Sequence, residues 1–283
     1  MPETPKLSYL EDLVRRYDKD RFLAALFAPA EMRARIMTLL AFNAEVARIR
    51  ETVSEPLIGQ MRLQWWRDVV LALAEGTGPP HGHPVAEAMA QLFTDRALEA
   101  SHFLDLLGAR ELDMTDEPPA DFAALIRYAH ATSSQLNILM LNGLGIHDPA
   151  ANTAGVDAGI AWALTGILRA TPQLAAGNRS MLPAQELAEA GLAVQDLQSP
   201  DCIVKLRPIA ERLSDEIKDR INAAREARSI VERSAVPVLL PVTLADSYLK
   251  TLGRVGFNIY HPKFALARPA VARMWWNNWR GVY

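Results

Sequence analysis

Carboxylates spaced four residues apart on a helix share one face and can hold a hard cation, so acid pairs are the first residues to weigh. Asp215 and Asp219, in ERLSDEIKDR, form one such pair, and Glu51 and Glu55 form another. Arg212, Lys218 and Arg220 are interleaved with the first pair, the pattern of a solvated, salt-bridged helix face. Pro56 directly follows the second pair, which equally marks a helix end. His81 and His83 lie close together in the turn-rich GTGPPHGHP. Two ligands fall short of the three or four that a metal centre needs, so a surface turn is expected there. Cys202 is the sole cysteine, which excludes an internal disulfide and a cysteine-based metal site. No G-x-S-x-G, P-loop or G-x-G-x-x-G occurs, so serine-hydrolase, NTPase and dinucleotide chemistry lack sequence support. Near the C-terminus, ARMWWNNWRGVY sets Trp275, Trp276 and Trp279 among Arg273 and Arg280. Rings beside cations suit a membrane surface or a partner protein; the plainer reading is that they seal the end of a helical body.

The elements that position these residues are helices. Apolar residues recur at helical spacing, as in Met32, Ile36, Leu39, Leu40 and in Ile209, Leu213, Ile217, Ile221, Ala224. Sustained period-two alternation is missing, and the two prolines of VPVLLPV at 236–242 would spoil a central strand. Breakers divide the chain into expected helices at 8–17, 19–27, 30–50, 56–75, 84–107, 119–144, 152–170, 184–189, 201–233, 237–253 and 266–279. The connections are short and no repeat appears, so one all-α domain over 1–283 is the simplest organisation.

Hydrophobic content of 50% in 283 residues suffices for a substantial core. The 30 Lys and Arg nearly balance 33 Asp and Glu without any run of like charge, which argues against nucleic acid as a partner. The longest uncharged stretch, Tyr128 to His147, is too polar for a membrane span and reads as a buried helix lining something. The first residues, MPETPKLSYL, lack the basic start and apolar run of a secretory leader.

Three segments carry a resemblance. Leu40 to Arg67, LAFNAEVARIRETVSEPLIGQMRLQWWR, resembles the first signature region of the squalene/phytoene synthase family. YAHATSSQLNILMLNGLG at 128–145 resembles its Tyr-rich helix, and DAGIAWALTGILRATPQLAAGNRSMLP at 157–183 its second signature. The resemblance implies an isoprenoid-synthase-type helical bundle around a central cavity. It also implies two facing aspartate-rich motifs whose Mg²⁺ ions assist loss of diphosphate from prenyl substrates.

At the motif positions this chain departs from the family. Where an Asp-rich run is implied it reads Ala47, Arg48, Ile49, Arg50, Glu51, and in the second signature Arg169 is followed by Ala170, with Leu174 at the later acidic position. Arg48 and Arg50 against Glu51 make the first cluster net positive. Like charges ~4 Å apart repel by about 4 kcal/mol at an effective dielectric of 20, so a divalent cation is disfavoured there. The expectation is no catalytic residue and no metal cofactor. Arg48, Arg50, Arg169 and Arg179 become candidate anion ligands, or else pair with Glu45, Glu51 or Asp157.

With AFNAE, ETVSE, IGQMR, RATP and FNIYHP, these departures resemble the non-catalytic branch that contains the sixth assembly factor of mitochondrial respiratory complex I. That implies a complex I subunit or assembly intermediate as partner, a lipid or isoprenoid as ligand, and a place in a bacterial cytoplasm beside the inner membrane, or in a mitochondrial matrix. The alternative is an active prenyl transferase that needs Mg²⁺ and has moved its ligands to Asp157, Asp215 or Asp219.

Overall fold

The structure of the protein is a computed structural model that describes residues 5–79, 82–95, 98–115 and 117–283, with side chains from residue 9 onward. The turn expected at His81 lies outside the described residues. Among the described residues all regular structure is helical.

The N-terminal half holds α1 (Pro5–Tyr17), α2 (Lys19–Ala25), α3 (Ala30–Ala47), the single turn α4 (Ile49–Thr52), α5 (Pro56–Ala74), α6 (Pro84–Asp95) and α7 (Ala100–Arg110). Then α8 (Phe122–Ala129) passes through a wide π turn, His130–Ser134, into α9 (Gln135–Gly143). The C-terminal half holds α10 (Pro149–Ala176), α11 (Ala184–Glu189), α12 (Ile203–Glu226), α13 (Val236–Leu239), α14 (Pro241–Arg254), α15 (Pro262–Ala265) and α16 (Val271–Arg280).

The central helix is α10, packed against α9, α12 and α14. Its start follows from sequence: Asp148 accepts from the Ala151 N–H at 2.9 Å, and Pro149 occupies the first turn where a missing N–H costs nothing. It runs past the end expected at residue 170, because Pro172 removes one backbone bond without stopping a helix packed along most of its length. The stop comes at Gly177, where Asn178 takes a left-handed φ of 55°. A Cβ on Gly159 would stand 2.5 Å from the Ser134 Cα, so glycine is required for α10 to approach the π turn. Ser134 Oγ donates to the Val156 carbonyl at 2.7 Å across this contact.

Periodicity located the core well. Ile209, Leu213, Ile217, Ile221 and Ala224 of α12 are all buried, as are Ile36, Leu39 and Leu40 of α3. Between α3, α5, α6 and α7 the rings of Phe42, Trp66, Phe103 and Phe93 interlock, with centroids 5.1 Å (Phe42 to Trp66) and 5.3 Å (Phe42 to Phe103) apart, edge to face.

Further boundaries differ from expectation: the helix expected over 30–50 breaks at Arg48, and the one expected over 201–233 ends at Glu226. The helix expected over 84–107 is two, because α6 packs on α3 while α7 packs on α5 and α9, and Glu99 leaves helical geometry with ψ 122° between them. The helix expected from 266 starts at Val271, since Pro269 disfavours helical geometry at Arg268.

The end of α16 is closed by Gly281 at φ 67°, with the Val282 N–H on the Asn277 carbonyl at 2.9 Å. Its inner face holds buried Met274, Asn277 bonded to Thr243 Oγ1 at 2.9 Å, and Arg273 bound to Asp246. Asp246 also takes Arg225 at 3.2 Å and Lys250 at 3.1 Å, tying α12, α14 and α16 together. Burial alone would raise the Asp246 carboxyl, but hydrogen bonds from Arg273 and Lys250 and the charges of Arg273 and Arg225 hold it below the ordinary 3.8. On the outer face Trp275, Trp276 and Trp279 are 57%, 49% and 60% exposed, so they do not seal the body. Among the described residues no helix is long and apolar enough to cross a membrane.

Candidate functional site

Where α3 gives way to α4, the backbone leaves the helix at Arg48, and α1 and α5 flank the break. The result is a cleft of about 590 Å³. Its walls carry Tyr9, Leu13, Tyr17, Ile49, Trp65 and Trp66, and its charged groups are Asp12, Arg16, Glu45, Arg48 and Arg62, with His83. The Arg48 guanidinium lies 3.3 Å from the centre of the Tyr17 ring, and its Nε is 3.8 Å from Glu51. Arg62 donates to Thr52 Oγ1 at 2.9 Å. His83, far from being a free surface turn, sits 3.2 Å from Glu45 with its ring against Trp65 and Trp66 at 4.9 and 5.2 Å. Burial first, with Glu45 and Tyr17 adding, raises the Tyr9 phenol. Guanidinium groups beside aromatic walls suit an anionic head joined to an apolar body.

The second signature is arranged differently. Arg169 on α10 donates to Asp20 of α2 at 3.1 Å and its guanidinium packs 4.0 Å from the Tyr248 ring centre. Tyr248 donates to the same Asp20 oxygen at 2.7 Å, and burial followed by the Asp20 charge drives its phenol far up. Ala170 and Leu174 are half-buried, offering no oxygen ligand from their side chains. Tyr17 and Asp20 are three residues apart in the chain. The junction of α1 and α2 therefore touches Arg48 with one side chain and Arg169 with another.

The four candidate anion ligands thus have different surroundings. Arg48 lines the cleft; Arg50 is half-buried in α4; Arg169 is matched by Asp20. Arg179 donates to the Asp113 carbonyl at 3.0 Å, at the edge of a buried network. In that network Arg110 donates to Tyr128 at 2.7 Å and to Asp113 at 3.1 Å, Tyr128 donates to Asp113 at 2.7 Å, and Asn43 stands 3.5 Å from Arg110. Of the ion-pair partners expected for these arginines, Glu51 meets Arg48, but Glu45 takes His83 and Asp157 takes Arg220 at 2.9 Å.

Asp215 and Asp219 are exposed on α12, where Glu216 and Arg220 pair at 2.7 Å, so the face is solvated and salt-bridged as its charge pattern suggests. Asp157, Asp215 and Asp219 therefore do not converge into a relocated metal site. Glu51 and Glu55 are both exposed and flank the end of α4, matching the helix-end reading.

Sequence reasoning missed Asp20, Tyr17 and Tyr248, and the cleft residues Arg16, Arg62 and Trp65. YDKD at 17–20 is a visible acidic cluster, but its partner Arg169 lies 149 positions away.

The match to known proteins agrees with this architecture. Residues 14–276 match the model of squalene/phytoene synthase. The chain belongs to the squalene/phytoene synthase family. Among curated relatives, NADH dehydrogenase (ubiquinone) complex I assembly factor 6 of Rattus norvegicus is 31% identical over 90% of this chain and 76% of its own length. The Homo sapiens protein of that name is 29% identical over 97% of this chain and 82% of its own. A dehydrosqualene synthase crystallised with a ligand superposes with a TM-score of 0.80 at 16% identity, covering 97% of this chain and 95% of that one, a likeness of fold.

The family's chemistry calls for Mg²⁺, and the residues at its motif positions here do not fit that ion. The first offers Glu51 alone, 58% exposed and shared with Arg48, and the second offers a guanidinium already matched by Asp20. Among the described residues no three His, Cys, Asp or Glu side chains gather into a metal-sized group. Mg²⁺ requires near-octahedral oxygen ligation, which these groups do not supply.

Proposed function

We propose that the chain is a non-catalytic squalene/phytoene synthase-like protein that assists assembly or stability of respiratory complex I, its helical body serving as a binding module. The observation that carries the reading is the replacement of metal-binding acids by Ala47, Ala170 and Leu174, together with the matching of Arg169 by Asp20. Relatives named as complex I assembly factor 6 along most of the chain support the assembly role. The cleft at Arg48 holds an anionic lipid or isoprenoid by its head group, without metal. Trp275, Trp276 and Trp279 contact a membrane surface. The site of action is the cytoplasmic side of a bacterial inner membrane, or the matrix side in a mitochondrion.

The test is deletion of the gene in its own host. Membranes from the deletion strain are expected to lose most of their NADH:quinone oxidoreductase activity and to regain it when the wild-type gene is returned. Unchanged activity in the deletion strain would remove the assembly role.

A further inference from the structure

Resting on the membrane contact proposed above, we infer that the C-terminal edge is a docking surface for anionic phospholipid, with a basic pocket beside α16 that receives the lipid phosphate.

Three observations converge. First, from Thr251 to Tyr283 the chain has five Lys or Arg and no Asp or Glu, although acids slightly outnumber those bases overall, 33 to 30. Arg254, Lys263, Arg268 and Arg280 of this stretch are exposed. Second, the outer face of α16 is apolar and open to water. Val271, Trp275, Trp276 and Trp279 are 44%, 57%, 49% and 60% exposed, and Leu266 just before the helix is 79% exposed. Indole rings of this kind settle at the boundary between head groups and acyl chains. Third, a pocket of about 390 Å³ adjoins the helix, lined by Arg225, Arg228, Asn277, Arg280, Val282 and Tyr283, with no Asp or Glu side chain among them.

The pocket divides its cations by role. Arg225 is structural, with its Nε on the Tyr283 carbonyl at 3.0 Å and an Nη on Asp246 at 3.2 Å. Arg228 and Arg280 are exposed and have no ion pair within the pocket lining. Asp246 is engaged by Arg225, and the acids nearest Arg228 in sequence are Glu226, exposed on α12, and Glu232, which accepts from Ser234 at 2.8 Å. Arg233 donates to the Trp279 carbonyl at 2.9 Å, fixing the end of α16 beside the pocket. A guanidinium pair next to interfacial rings matches a phosphodiester whose acyl chains continue under the tryptophans. A purely apolar partner would leave these cations unpaired, and a zwitterionic surface would gain nothing from the acid-free stretch.

The experiment is co-sedimentation of the full chain with phosphatidylcholine vesicles, and with vesicles in which about a third of the lipid is phosphatidylglycerol, at low and high salt. Wild type is expected to bind the anionic vesicles at least about twenty-fivefold more tightly than the neutral ones, and to lose that preference in high salt. Each cation at such a surface is worth about fivefold, so Arg228→Gln with Arg280→Gln should cost about twenty-fivefold on anionic vesicles and leave neutral binding unchanged. Trp275→Ala with Trp276→Ala and Trp279→Ala should weaken binding to both. Thermal melts establish that each variant is folded, and the single Arg280→Gln variant replaces any that is not. Equal binding of wild type to both vesicle types would overturn the anionic preference while leaving membrane contact standing. Binding to neither would overturn the membrane contact as well and turn the face over to a protein partner.

Discussion

An Asp113→Ala variant is expected to lose about 3–5 kcal/mol of stability, the cost of leaving a buried cation without its carboxylate. Asp113 is 8% exposed and, among the described residues, is the carboxylate that pairs with Arg110, within a network that otherwise offers Tyr128 and Asn43. Burial and the nearby Asp113 hold the Tyr128 phenol neutral, so Tyr128 supplies a dipole rather than a charge. For a chain of this size the melting temperature should fall by roughly 5–8 °C. Asp113→Asn, which keeps the acceptor but not the charge, should recover part of the loss. A melting temperature unchanged in Asp113→Ala would mean that Arg110 finds water, and that the network contributes little.

The second large effect concerns the junction between α1 and α2. Asp20→Ala removes the carboxylate that accepts both Arg169 and Tyr248, and the pair is partly exposed, at 25% for Arg169 and 13% for Asp20. The expected cost is about 2–3 kcal/mol, less than for a fully buried pair. A gain should accompany the loss. With Arg169 released, inorganic diphosphate should raise the melting temperature of Asp20→Ala by more than that of wild type, which offers the Arg48 cleft but not Arg169, since a ligand stabilises only the state it binds. Equal stabilisation of both proteins would show that releasing Arg169 adds no anion site, contrary to its being held closed by Asp20.

Much of the fold was legible because helices announce themselves locally. The apolar period of α12 and the prolines of 236–242 each fix local structure through nearest neighbours in the chain, whereas the start of α10, expected at 152, lies three residues earlier at Pro149. The split between α6 and α7 was not legible, because RALE at 96–99 favours helix and the break follows from the different partners of the two helices.

The site was half legible. Loss of acids at Ala47, Ala170 and Leu174 could be read from the resemblance, while Glu51 is only one of three acids expected to pair with the arginines. The fate of Arg169 could not, since it depends on a carboxylate 149 positions earlier and a tyrosine from α14. Nor could the cleft, whose walls come from four separate helices and His83. The tryptophans illustrate the same limit: WWNNW reads equally as a sealed end or an open face, and only the packing of Met274 and Asn277 turns the rings outward.

At the family's motif positions, among the described residues, this chain offers no set of oxygen ligands for catalytic magnesium. Incubation of the purified protein with farnesyl diphosphate and Mg²⁺, with released diphosphate measured against a heat-treated control, tests this most directly. The account predicts release no faster than the control, at any Mg²⁺ concentration. Mg²⁺-dependent release above that control would contradict it.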